Sequence, residues 1–346
     1  MAWDFSTESA FQEKLDWMER FVKEEIWPLE TLLEDLGWEG LVRAVAPLQK
    51  RVKEVGLWAA HLDPELGGQG FGQVKLGLMH EILGTSPMAP LAFGNAAPDS
   101  GNSEILALAG TSEQKDRYLH PLLAGDLKSA FSMTEPETAG SDPTLLQTTA
   151  VREADGWVIN GHKWFSTNGS IADFLIVMAV TDPEARPHQR ASMFIVDADA
   201  PGVKIVRDVA TMEHPWESFA RYGNHAEILY EDVRVPAEAL LGAQGAGFLI
   251  AQQRLYPGRI HHCMRWLGVA HRAFDMLCER SLYRYAHGSL LADKGTIQNW
   301  IGDSAAQMQA ARLMTLHAAW KMDTEGVLAA RKEIALIKFY GAQVLH

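Results

Sequence analysis

Phe131-Ser132-Met133-Thr134-Glu135-Pro136-Glu137-Thr138-Ala139-Gly140-Ser141-Asp142, followed after one hairpin by Gly161-His162-Lys163-Trp164-Phe165-Ser166-Thr167-Asn168-Gly169, are the stretches that decide how this chain is read. Each leaves a strand-like run and enters a loop of hydroxyls, small residues and aromatics. The spacing predicts two loops meeting at one end of a β-domain. Such a pair suits a planar ring with a phosphate tail. An aromatic can stack on one face, short donors can reach a polar edge, and Gly/Ser backbone can approach a pyrophosphate. An isoalloxazine ring has these needs.

Working outward, residues from Ser129 to about Pro236 follow a period of two with many β-branched positions. The predicted strands are Thr148 to Arg152, Trp157 to Asn160, Phe174 to Val180, Met193 to Val196, Val203 to Val206 and Glu227 to Tyr230. Asp155-Gly156 is a hairpin signal between the first two. No strand-helix-strand alternation is present, so a compact antiparallel sheet or barrel fits and a parallel doubly wound sheet does not.

Both flanks read as helical. Phe11, Leu15, Met18, Phe21, Val22 and Ile26 share one helical face before Pro28. Further runs cover Leu41 to Val55, Val74 to Leu83 and Ser103 to Leu108, and Thr111 and Gln114 stand at capping-box spacing. Pro64 to Gly70 reads as loop. Beyond Pro236, Gly245 to Tyr285, Gly295 to Asp323 and Leu328 to His346 suggest a bundle. The expected fold is therefore multidomain α+β: an N-terminal helical domain (1–128), a central antiparallel β-domain (129–236) and a C-terminal helical bundle (237–346). The last helix keeps its apolar face to His346, so the bundle is read as incomplete.

A length of 346 residues calls for two or three domains. The formal charge of −13, with no Lys/Arg-rich run, argues against nucleic acid as a partner. Cys263 and Cys278 both lie in helical patterning, so a disulfide framework is not expected and a reducing, cytoplasmic setting is. No secretory signal is evident at Trp3-Asp4-Phe5-Ser6. Apolar stretches such as Phe174 to Val180 are strand-sized, too short to span a bilayer as a helix.

The order of helices, β-domain and bundle, with those two loops at its centre, resembles the acyl-CoA dehydrogenase family along the whole chain. Its first signature, Thr-Glu-Pro followed by small residues and Gly-Ser-Asp, stands here as Thr134 to Asp142, one residue longer than the commonest form. With Pro257-Gly258-Arg259-Ile260-His261-His262-Cys263-Met264-Arg265, this is similar to the branch of animal members 10 and 11 and their bacterial relatives. The resemblance implies FAD. It places Thr134 at the flavin's pyrimidine edge, Phe131 and Met133 along the ring, and Gly140 and Ser141 near the ribityl, diphosphate and thioester. Phe165 takes the position packed on the ring, Thr167 the hydroxyl reaching N5, and Ser166 stands between them. Arg284 matches an arginine that reaches an adjacent subunit's cofactor, although His287 replaces the family's Phe. A homodimer or homotetramer follows.

Pro257, Gly258 and Arg259, with Ser141, match positions that contact the acyl-CoA. Some members carry their catalytic glutamate at the place of Gly258, which cannot do acid-base chemistry. Others carry a carboxylate on a later helix, which here would begin beyond His346. The catalytic base is therefore unassigned. The expected activity is FAD-dependent α,β-dehydrogenation of a fatty or modified acyl-CoA, with electrons passed to electron-transfer flavoprotein, as in β-oxidation. The alternatives are an oxygen-using monooxygenase or oxidase on the same scaffold and an inactive flavin- or acyl-CoA-binding protein.

Plainer readings stand beside these. Trp164-Phe165 at a strand end can be core packing, and Thr134 and Ser141 can be turn or cap residues. His261, His262 and Cys263 invite a metal, but adjacent helical residues point apart and no second ligand pair has the spacing. Gly242 to Gly247 and Gly67 to Gly70 lack the context of a nucleotide loop.

Overall fold

A computed structural model describes residues 6–212 and 225–346 of the chain; Trp3, Asp4 and Phe5 lie outside them. The helices are α1 (Ser9–Phe21), α2 (Leu33–Glu54), α3 (Gly72–Leu83), α4 (Ala89–Ala92), α5 (Asp99–Ala109), α6 (Ser112–Gln114), α7 (His120–Ala124), α8 (Gly247–Tyr283), α9 (Gly295–Glu325) and α10 (Arg331–Leu345). The strands are β1 (Ser129–Ser132), β2 (Thr149–Glu153), β3 (Gly156–Thr167), β4 (Phe174–Val180), β5 (Ala191–Asp197), β6 (Val203–Asp208), β7 (His225–Pro236), β8 (Leu240–Leu241), β9 (Tyr285–Ala286) and β10 (Ser289–Leu290). The helical N-terminal part, central sheet and C-terminal bundle agree with the expected fold class. By packing, the chain forms two compact units, one of residues 1–31, 71–92 and 256–346, the other of residues 32–70 and 93–255.

The second unit is built on an eight-stranded sheet in the order β6-β7-β3-β2-β4-β5-β8, with β1 attached to β4. Strand β4 is apolar without a break because both of its faces are covered. Phe174, Ile176 and Met178 join Ile105, Leu106, Leu119 and Leu122 of the helical segments in one core. Leu175, Val177 and Ala179 join Trp157, Phe194 and Tyr230 in another. Successive side chains of a strand alternate between its faces, so one run of seven residues supplies both cores. Helix α6 starts as its sequence predicts: Thr111 Oγ1 accepts from Gln114 N, and the Gln114 side chain accepts from Thr111 N.

The structure corrects several sequence expectations. Strand β1 lies parallel to β4, and β2 makes one parallel bridge to β4, within an otherwise antiparallel sheet. The chain enters β1 from α7 rather than through a hairpin, so no local signal announces its direction. Strand β3 runs to Thr167 rather than Asn160, carried past its polar positions by pairing with β7. After Phe21 the helix widens into a π turn (Val22–Ile26) and then a 3-10 segment (Trp27–Leu32) that contains Pro28, so the proline does not end the helical path. Helix α8 stops at Tyr283, and a tight hairpin of β9 and β10 follows. His287 (φ 49) and Gly288 (φ 83) form its turn, the left-handed pair favoured in two-residue hairpins.

In the first unit α3 packs on α9 and α9 on α10. Ile260, Cys263, Ala318, Ala319, Ile334 and Ile337 form its core. Asp323 of α9 caps α3 from afar, accepting from Gln73 N (2.7 Å) and Val74 N (2.9 Å). No helix among the described residues is long and apolar enough to cross a membrane.

Candidate active site

The first loop is pinned at both ends. Asp99 accepts from Ser129 N (2.8 Å) and Ser129 Oγ (2.7 Å), which fixes the start of β1. Past its end, the fully buried Lys163 donates to Met133 O (2.8 Å) and Glu135 Oε1 (2.9 Å), and Glu135 accepts from Gln147 N (2.7 Å) and Thr148 N (2.9 Å). Burial pushes the Lys163 ammonium down to about 8, against the pull of Glu135. Burial pushes the Glu135 carboxyl up, but Lys163 and the Thr148 hydrogen bonds outweigh it and hold the group below the usual range. Both groups are charged at neutral pH. Glu135 thus orders the loop.

The second loop is joined to the first through backbone: Trp164 N donates to Thr134 O at 3.0 Å. The β3–β7 register shifts between Lys163 and Ser166, a bulge in which Phe165 takes φ 50 and presents its ring outward, 41% exposed. A bulge is how a strand re-aims one side chain without breaking its pairing. A left-handed, exposed aromatic is not what core packing produces. Ser166 turns the other way, buried, and donates to Ser132 Oγ (3.1 Å), which also accepts from Tyr230 OH (2.9 Å). Burial pushes the Tyr230 phenol up, so it stays a donor. The Ser166 hydroxyl is therefore spent inside the sheet, and only its backbone is left for a ligand. Thr167 Oγ1 lies 2.9 Å from His225 Nδ1.

Gly140 and Ser141 occupy an exposed turn, closed by Asp142 N donating to Ala139 O (2.9 Å). A Cβ at position 140 would meet Thr134 Cγ2 at 3.1 Å, so the glycine keeps the approach over Thr134 open. Phe131 and Met133 are partly buried against the core. The Arg254 guanidinium stands 4.5 Å from the centre of the Phe131 ring. Its Nε is buried and has no hydrogen-bond partner among the described residues. Glu104 acts on Arg254 through space, with no hydrogen bond between them. Burial raises the Glu104 carboxyl to about 8 in spite of Arg254. The sequence reading missed Glu104, Arg254 and His225. A glutamate within the apolar run Ser103 to Leu108 was the one local sign.

The other sequence-predicted residues belong to the first unit. Pro257, Gly258 and Arg259 lie partly exposed on α8, and a Cβ at Gly258 would meet nothing within 4 Å. Arg284 is exposed just before β9, and its carbonyl accepts from Leu291 N (2.9 Å). The His261 ring lies against that of His80, tilted by 30° with ring centres 4.3 Å apart, and is hydrogen-bonded to Gln73 Oε1 (3.0 Å). Among the described residues no group of three or more His, Cys, Asp or Glu converges on a metal position.

Models of the acyl-CoA dehydrogenase N-terminal, middle and C-terminal domains match residues 9–126, 130–218 and 245–346. The chain is 44% identical over 303 residues to probable acyl-CoA dehydrogenase FadE2 of Mycobacterium tuberculosis, covering 87% of this chain and 72% of that protein. It is 40% identical over 334 residues to acyl-CoA dehydrogenase family member 10 of Mus musculus, covering 92% of this chain but 30% of the mouse protein. Butyryl-CoA dehydrogenase from Megasphaera elsdenii superposes with a TM-score of 0.82 at 28% identity, over 99% of this chain and 86% of that one. An FAD complex of PigA superposes with a TM-score of 0.85 at 25% identity, over the same shares.

Proposed function

We propose, from the premise that this chain belongs to the acyl-CoA dehydrogenase family, that it is an FAD-dependent oxidoreductase that forms an α,β-double bond in an acyl-CoA. The observation that carries this reading is the Trp164 N to Thr134 O joint, which brings the two loops side by side with Phe165 turned outward. The residues fit the cofactor. Thr134 and Thr167 would offer short donors to the ring's polar edge, Phe131, Met133 and Phe165 its flat contacts, and the Gly140-Ser141 turn a close backbone approach to the phosphate tail. When bound, the flavin supplies a hydride acceptor.

The chain's own residues then have five tasks. Lys163 and Glu135 hold the first loop in place from within the sheet. The bulge at Phe165 turns an aromatic wall to the ligand side. Arg254, beside Phe131, keeps a buried donor without a partner among the described residues, and Glu104 adds an acid that burial holds protonated at neutral pH. Pro257, Gly258 and Arg259 would line the thioester channel. Arg284, exposed, would serve the cofactor of a second subunit in a homodimer or homotetramer. Electron-transfer flavoprotein as electron acceptor, a cytoplasmic setting and a role in fatty-acid oxidation complete the proposal.

The test is direct. Protein incubated with FAD and then desalted keeps the flavin's visible absorbance, and anaerobic addition of members of an acyl-CoA panel bleaches it, with slow return of colour in air. A colourless protein overturns the reading, and rapid reoxidation by air moves it to the oxygen-using branch of the same fold.

A further inference from the structure

His225 opens β7 in register with Thr167, the last residue of β3, so the two side chains stand side by side on one face of the sheet. Thr167 Oγ1 and His225 Nδ1 are 2.9 Å apart, a hydrogen bond whose direction depends on which atom carries the proton. A hydroxyl has one proton to give, and an imidazole nitrogen is either donor or acceptor. If Nδ1 is bare, Thr167 gives its proton to His225 and has none for a ligand. If Nδ1 carries hydrogen, Thr167 accepts from it and its own proton is free to turn outward, where the Phe165 ring centre lies 6.3 Å from that of the imidazole.

We infer that His225 holds its proton on Nδ1 and donates to Thr167, and so acts as a positioning residue that aims the Thr167 hydroxyl at the flavin. The inference rests on the proposed function, which sets Thr167 beside the flavin's N5, an acceptor in the oxidised ring. Two carboxylates stand near His225 among the described residues. Glu227, two residues along β7 on the same face, accepts from Arg207 Nε (2.7 Å), and its Oε1 lies 2.8 Å from His162 Nε2. The Arg207 hydrogen bond holds the Glu227 carboxyl below its usual range. Asp208, on the neighbouring β6, accepts from Ser170 Oγ. Each of these carboxylates already has a hydrogen-bond partner.

Two nearly isosteric replacements separate donor from acceptor. The amide of His225→Asn can donate to Thr167, whereas the carboxylate of His225→Asp can only accept and draws the threonine proton inward. The experiment is nitrogen NMR of FAD-loaded protein, first with labelled histidine and then with FAD labelled at N5. The expected result is a protonated Nδ1 for His225, assigned by its loss in His225→Asn. The hydrogen-bonded N5 resonance should be kept in His225→Asn and shifted in His225→Asp to its position in Thr167→Val. A bare Nδ1, or an N5 resonance unmoved by His225→Asp while Thr167→Val moves it, overturns the inference and leaves the flavin reading standing. Wild-type protein that stays colourless after incubation with FAD overturns the flavin reading itself and this inference with it. The histidine measurement uses the wild type, so it decides even if His225→Asp fails to fold.

Discussion

Two acid–cation pairs, one buried and one half-buried, reach the segment from Phe131 to Glu135, and they are built in opposite ways. Lys163 and Glu135 are in contact at 2.9 Å, and the pair is tied further to Met133 O, Gln147 N and Thr148 N. Arg254 and Glu104 do not touch, and Arg254 Nε is buried without a partner among the described residues. A buried charge is tolerable when its hydrogen bonds are made and costly when they are not. The first pair is therefore part of the architecture. The second leaves one buried donor unmet among the described residues, the kind of group that collects where a protein meets its ligand.

Removing one partner is the sharpest way to break this comparison. Lys163→Met leaves Glu135 buried and uncompensated and strips Met133 O of its donor, so a loss of about 3–5 kcal/mol is expected in denaturant unfolding. FAD retention should fall with it, because the Thr134 loop loses its anchor. The double variant with Glu135→Gln should recover part of the stability.

Arg254→Met should behave in the contrary way. Methionine follows the same path past Phe131 without an unmet donor, and Glu104, raised to about 8, is protonated at neutral pH and needs no counter-charge. Unfolding free energy should change by less than about 1 kcal/mol, or rise, because a buried polar atom without a partner among the described residues is lost. A loss as large as that of Lys163→Met would erase the distinction between the two pairs.

The pH dependence carries the same contrast with a definite sign. Glu104 is shifted upward, from 4.5 to about 8, so between these values the unfolded chain has released a proton that the folded chain keeps. Stability therefore falls as pH rises through this window, by up to about 1.4 kcal/mol per pH unit from this group, and levels off above it. Glu135 is shifted downward, so its contribution is present at neutral pH and is lost only as pH falls through the carboxylate range. Unfolding curves across pH should show the Glu104 slope in the wild type and its removal in Glu104→Gln. Persistence of the slope in that variant would assign it elsewhere.

How far the sequence foretold these features depends on the reach of each cause. The capping box at Thr111, the hairpin at Asp155-Gly156 and the strand Phe174–Val180 follow from residues near one another, and they were legible. The parallel direction of β1 depends on where α7 delivers the chain, and the length of β3 on its pairing with β7. Neither is written in local pattern. The loops around Thr134 and Thr167 were legible as a pair because each carries its own composition. Arg254 and Glu104 stand in different helices, and His225 meets Thr167 only through strand register. A sequence motif records which residues a site uses, whereas burial decides which of them are charged and which have partners.

A third carboxylate position completes the series with the smallest effect. Gly258 lies on α8 with nothing within 4 Å of an added Cβ, so the side chain introduced by Gly258→Glu would enter neither a buried pair nor a packed core. Replacing a glycine inside a helix gains about 0.5–1 kcal/mol in backbone terms. Gly258→Glu should therefore leave unfolding free energy unchanged or slightly raised, with no new pH slope above the ordinary carboxylate range. Some members of the family carry their base at this place, so under the proposed function anaerobic flavin bleaching by acyl-CoA should quicken relative to the wild type. A stability loss comparable to that of Lys163→Met would mean that position 258 is enclosed. Stability kept without faster bleaching would mean that the open position on α8 does not serve the flavin loops.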